Sequence, residues 1–124
     1  AFLYVDLDDL KARNSSGGDK AGDQYIREAA KRLERRRGVD QVFRLHGAGD
    51  EFGILVQGES ARRVGDFAEI LVRELSSAGI SASIGAACTE SRDYKTRAAV
   101  YQAAEAAMQQ AKKTKRCAVS TVLE

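Results

Sequence analysis

The chain opens on an apolar run, Phe2-Leu3-Tyr4-Val5, without polar alternation and with aromatic and β-branched content, which predicts a buried strand. Asn14, Ser15, Ser16, Gly17 and Gly18 follow and predict a polar loop. From about Asp23 to Arg37, Ile26, Ala29, Ala30 and Leu33 recur on one helical face. Arg35, Arg36 and Arg37 suit the C-terminal end of that helix, and Gly38 suits the position just beyond it. Gln41 to Leu45 and Glu51 to Val56 are strand-like runs around the glycine-rich turn His46-Gly47-Ala48-Gly49-Asp50, a hairpin pattern. Ser60 suits the cap of a second helix, in which Val64, Phe67, Ala68, Leu71 and Leu75 repeat at helical spacing and which Gly79 ends. Ile80 to Cys88 is a strand of small residues, so something packs closely on it. A third helix runs roughly from Tyr94 to Lys113, with Val100, Ala103, Ala104, Ala107 and Ala111 on one face. Ala118 to Leu123 is a last strand. The element order is β-α-β-β-α-β-α-β.

That order predicts an α+β fold over a single domain, 1–124: a ferredoxin-like βαββαβ core with an antiparallel central sheet, plus an extra helix and strand. In this layout the first strand lies beside the hairpin. Asp6 and Asp8 close the first run, and Asp50 and Glu51 stand at the head of the third, so four carboxylates converge on one end of the sheet. Clustered like charges are costly unless something positive sits among them. A hard divalent cation carrying a nucleoside triphosphate fits, because Mg²⁺ prefers a few carboxylates together with phosphate oxygens. The pattern points to nucleotidyl transfer.

Composition narrows this only a little. The 124 residues are enough for one real core, and 44% hydrophobic with 31% charged is ordinary for a globular domain. Net charge is only +2, so its distribution says more than its total: the basic blocks Lys31 to Arg37 and Lys112 to Arg116 stand against acids near Asp6 and Asp50. Such blocks are solvated helix ends or phosphate holders. Cys88 and Cys117 are isolated, and with His46 as the single histidine a zinc site is not expected; two reduced, partly buried thiols in a cytoplasmic protein are. No signal peptide precedes the first strand and no apolar run approaches ~18 residues, so no membrane segment is expected in this chain.

The motifs resemble those of GGDEF-type diguanylate cyclases. Asp6-Leu7-Asp8-Asp9-Leu10-Lys11 with Asn14, Gly18 and Gly22-Asp23 is similar to the first signature of that family, and Ala48-Gly49-Asp50-Glu51-Phe52 to the motif that names it. Ser83-Ile84-Gly85 resembles its central strand, and Ala106 to Arg116 its last helix. The resemblance covers nearly the whole chain, and it implies a palm that condenses two GTP into cyclic di-GMP and pyrophosphate. It implies metal binding by Asp6, Asp50 and the Leu7 carbonyl, with Mg²⁺ (or Mn²⁺) as cofactor. Glu51 would support that site or help remove the proton from the 3′-hydroxyl. Asn14 and Asp23 would read the guanine edge, Lys112 and Arg116 would hold the β- and γ-phosphates, and the amides from Asp9 to Lys11 would cradle phosphates. Each active site binds one nucleotide, so a homodimer is required; no DNA partner is implied. Arg37-Gly38-Val39-Asp40 matches the RxxD product-inhibition site, where cyclic di-GMP would bind Arg37 and Asp40.

Taken singly, these residues have simpler readings: Asp23 as a helix N-cap, Asn14 as a turn residue, Asp8 and Asp9 as a solvated loop start, Lys112 and Arg116 as complements to a helix C-terminus. The chain also departs from the family. Ala48 stands for the first signature glycine, His46-Gly47 lengthens the turn by two residues, and Asp19 replaces a usual histidine. An even insertion keeps Asp50 and Glu51 on their faces. His46 reads as a turn residue. Two rivals follow: a stand-alone minimal CRISPR polymerase-like cyclase making another cyclic nucleotide, and a degenerate domain that binds GTP or cyclic di-GMP as a signalling module.

Overall fold

A computed structural model describes residues 1–8, 10–35, 41–45, 50–56, 61–88, 97–113 and 118–122. The element order is β1 (Phe2–Leu7), α1 (Leu10–Arg35), β2 (Gln41–Arg44), β3 (Glu51–Leu55), α2 (Ala61–Ser77), β4 (Ala82–Cys88), α3 (Arg97–Lys113) and β5 (Ala118–Val122). The strands form one sheet in the order β2-β3-β1-β4-β5. β1 is its middle strand and pairs antiparallel with both β3 and β4, while β5 lies parallel to β4 at one edge. The α+β architecture and the place of β1 beside the hairpin are as the sequence predicts.

Alternation along β1 sorts the core into two layers. Leu3, Val5 and Leu7 face α1 and α2, where they pack with Tyr25, Ala29 and Leu33 of the first helix and Val64, Ala68, Leu71 and Leu75 of the second. Phe2 and Tyr4 face the other way, against Ala104 and Met108 of α3. Each large apolar side chain so buried contributes about 1.5–3 kcal/mol, and this two-sided burial explains why β1 reads as an unbroken apolar run.

Two glycines show why the elements sit as they do. Gly79 has φ of 79°. It closes α2 by donating to the Ser76 carbonyl at 2.9 Å, while the Ile80 amide reaches back to Leu75 at 2.9 Å. This paired helix ending needs a left-handed residue, for which glycine is suited. At Gly85 of β4, a Cβ would stand 2.1 Å from the Met108 nitrogen and 2.2 Å from the Ala104 oxygen. The backbone of α3 lies directly on the strand there, as the small residues of both elements predict.

One expectation fails. Asn14, Ser15, Ser16, Gly17 and Gly18 do not form a loop; they lie within α1, which runs unbroken from Leu10 to Arg35. Serine and glycine weaken a helix by at most about 1 kcal/mol each, and a long helix anchored on the core can absorb that. Asp23 is therefore an exposed position in the interior of α1, not its N-cap.

Candidate active site

The sheet register brings the acidic residues together. Asp6 is directly opposite Glu51 across the β1–β3 pair. One residue on, the Leu7 amide donates to the Asp50 carbonyl at 2.8 Å, which fixes Asp50 beside the end of β1. Asp6 continues the Phe2-Tyr4 stripe, so its side chain emerges on the α3 face. There Lys112, in the last turn of α3, places its Nζ 2.7 Å from Asp6 Oδ2 and 3.9 Å from Asp8 Oδ1.

Asp8 is not a solvated loop residue. Its carboxylate accepts from Ser81 Oγ at 3.0 Å and from Ser83 Oγ at 3.1 Å. Its backbone is tied as well: the Asp8 amide donates to the Ser81 carbonyl at 2.8 Å. Tyr25 of α1 completes the clamp. Its hydroxyl accepts from the Ser81 amide at 2.8 Å and shares its proton between the carbonyls of Asp8 at 3.2 Å and Ser81 at 3.3 Å. On the other side, the Tyr4 hydroxyl donates to Glu51 Oε2. Tyr4, Tyr25 and Ser81 are thus site residues that the motif reading passes over, and Ser83 enters it only as part of a strand. The signal for Tyr4 and Ser83 was their two-residue spacing from Asp6 and Gly85 on the α3 face.

The electrostatics leave the site short of positive charge. Asp6 is 9% exposed, and burial, with Asp50 and Glu51 adding to it, pushes its carboxyl above the usual range despite Lys112. Burial works against the Lys112 ammonium, yet Asp6, Asp8 and Asp50 outweigh it and raise its pKa. Both partners thus move up, Asp6 chiefly by burial and Lys112 by the carboxylates around it. All the donors are hard oxygens, which fits Mg²⁺. Among the described residues no three acidic, histidine or cysteine side chains form a complete metal cage; Mg²⁺ ordinarily takes one or two carboxylates and completes its shell with water and phosphate.

A family described as "Diguanylate cyclase, GGDEF domain" matches residues 1–118. The chain belongs to the GGDEF family. Among relatives of this GGDEF domain, the bifunctional diguanylate cyclase/cyclic di-GMP phosphodiesterase MucR of Pseudomonas aeruginosa is 36% identical over 121 residues, which are 90% of this chain and 17% of MucR. The diguanylate cyclase DgcS of Shewanella oneidensis is 31% identical over 119 residues, covering 90% of this chain and 38% of DgcS. This GGDEF domain thus spans well under half the length of either relative. Among solved structures, the GGDEF domain of DgcB from Caulobacter crescentus in complex with c-di-GMP is similar at a TM-score of 0.79 and 25% identity, covering 98% of this chain and 75% of that one.

Of the expected site residues, Asp6, Leu7, Asp50, Glu51 and Lys112 come together. Lys11 and Asn14 lie in the part of α1 described by its backbone alone, and Asp23 lies further along the same helix. Positions 14 and 23 are about two and a half turns apart and so half a turn out of phase. Arg37, Asp40, His46, Ala48, Gly49 and Arg116 lie outside the described residues. The Cys88 thiol is in no disulfide and is fully buried rather than partly so, and Cys117 also lies outside the described residues. Among the described residues no helix is long and apolar enough to cross a membrane.

Proposed function

We propose that this domain condenses two GTP into cyclic di-GMP and pyrophosphate. The observation that carries the reading is the meeting of Asp6, Glu51 and Asp50 at one end of the sheet, with Lys112 reaching in from α3. Asp6, Asp50 and the Leu7 carbonyl would hold Mg²⁺ or Mn²⁺. A metal bound there supplies charge that stabilises the phosphates and acidifies the attacking hydroxyl. Glu51 takes up the proton of the 3′-hydroxyl or supports the carboxylates that do. Lys112 and Arg116 bind the β- and γ-phosphates and balance the pyrophosphate as it leaves. The amides from Asp9 to Lys11, with Lys11 itself, cradle the phosphates.

Guanine recognition falls to Asn14 and Asp23. For both to meet one base, α1 has to open between them, and Gly17-Gly18 is where a helix opens at least cost. One site binds one nucleotide, so two copies face each other and the working unit is a homodimer. Cyclic di-GMP, the ligand of the similar DgcB structure, would act as inhibitor at Arg37 and Asp40. GTP as substrate places the reaction in the cytoplasm.

Incubation with each nucleoside triphosphate and Mg²⁺, with products identified by mass spectrometry, tests the reading. Cyclic di-GMP and pyrophosphate are expected from GTP, and ATP should be used at least about tenfold less well, since leaving buried polar groups unpaired costs on the order of 1–3 kcal/mol. A different cyclic nucleotide would favour the polymerase-like rival, and tight GTP binding without turnover the degenerate signalling module.

A further inference from the structure

Asp6 and Glu51, facing each other across one antiparallel pair, would repel if both stood bare. Asp6 is matched by the Lys112 ammonium. Glu51 has a different partner, the Tyr4 hydroxyl, which donates to Oε2. Tyr4 is 1% exposed. Its ring stands edge-on to Tyr101 of α3, with centroids 5.4 Å apart and planes at 69°. Level with Tyr4 on the two neighbouring strands are Gly53 and Gly85, which bring no side chain of their own against the phenol. α3 and its aromatic partners hold the ring instead.

We propose that Tyr4 is a positioning residue for nucleotidyl transfer: its hydroxyl holds one oxygen of Glu51 and so directs the other, Oε1, toward the reacting groups. The inference rests on the cyclase reading. Glu51 is only half-buried and starts its strand. Left alone, such a side chain spreads over several rotamers, and fixing it during the reaction costs entropy. A buried, rotationally fixed phenol supplies that order beforehand. Misplacement of a reacting group by ~1 Å is enough to lose ~100-fold in rate.

Tyr4→Phe keeps the ring and its packing and removes only the hydroxyl. With GTP and Mg²⁺, kcat should fall about tenfold while KM stays within about twofold, the split expected when transition-state geometry and not binding is lost. The melting temperature should change little. In a Glu51→Ala background, which leaves Tyr4 no carboxylate to hold, the same substitution should cost nothing further. In the metal-free protein, proton NMR should show a slowly exchanging hydroxyl proton that vanishes in Tyr4→Phe and moves in Glu51→Gln. A kcat of Tyr4→Phe within about twofold of the parent, an additive loss in the double variant, or no such proton in the parent overturns the proposal. A parent domain without turnover would sink the cyclase reading instead, and the hydroxyl proton would then decide by itself whether Tyr4 holds Glu51.

Discussion

Asp6 carries its charge against its surroundings. Its carboxyl titrates above the ordinary value of 3.8 because burial, Asp50 and Glu51 all favour the protonated form. A folded-state pKa above the unfolded one means that ionising Asp6 works against folding. That cost is absent at low pH, where the group is protonated in both states, and grows as pH rises past 3.8. Asp50→Asn removes one of the offending charges. With Asp50 in its proposed metal-binding role, the variant should abolish product formation while leaving the metal-free domain at least as stable at pH 7. The gain should vanish as pH falls toward 3.8. Melting curves across pH check this; a marked loss of melting temperature at pH 7 would make Asp50 structural. At this scale the acidic residues were legible because each ends or begins an apolar run, so pairing the runs pairs the charges. Tyr4 was not, since a tyrosine within a buried strand looks like core until the register puts Glu51 within its reach. The start of α1 was misplaced at Asp23 because capping chemistry is local, whereas the helix begins thirteen residues earlier, at Leu10.

Among the elements, α3 and β4 are coupled most closely. With a Cβ at position 85 falling within 2.1 and 2.2 Å of α3 backbone atoms, Gly85→Ala cannot be relieved by a side-chain rotation; the helix itself has to move. Overpacking of this kind costs about 1–3 kcal/mol or more, so denaturant unfolding should show a loss of at least that order. The displaced helix carries Lys112, so phosphate binding should weaken with it; wild-type stability would show that α3 yields freely. Strands and the C-terminal two helices were legible from periodicity, because their apolar faces are what the core selects. The first half of α1 was not. Its Asn-Ser-Ser-Gly-Gly composition is a weak local preference that a long, anchored helix overrides. The parallel placement of β5 also follows from tertiary contact and not from any pattern inside the strand.

For the molecule as a whole, the proposed cyclase reading, with one GTP per site, makes the reaction an encounter between two copies. Specific activity should therefore rise with protein concentration at saturating GTP and level off once dimers predominate; a rate strictly proportional to protein over a wide range would show that a single copy suffices, or that dimers never part. The sheet order adds a consequence of another kind. Asp6 rides on β1, which is hydrogen-bonded along both edges. A strand so placed releases its amide protons only when the entire fold opens, whereas edges and helix ends open on their own. The carboxylate floor of the site thus persists as long as the folded state does. A regulator of this domain has little to gain by loosening that floor; on the proposed dimeric reading its leverage lies in how often, and at what angle, two such floors are brought face to face.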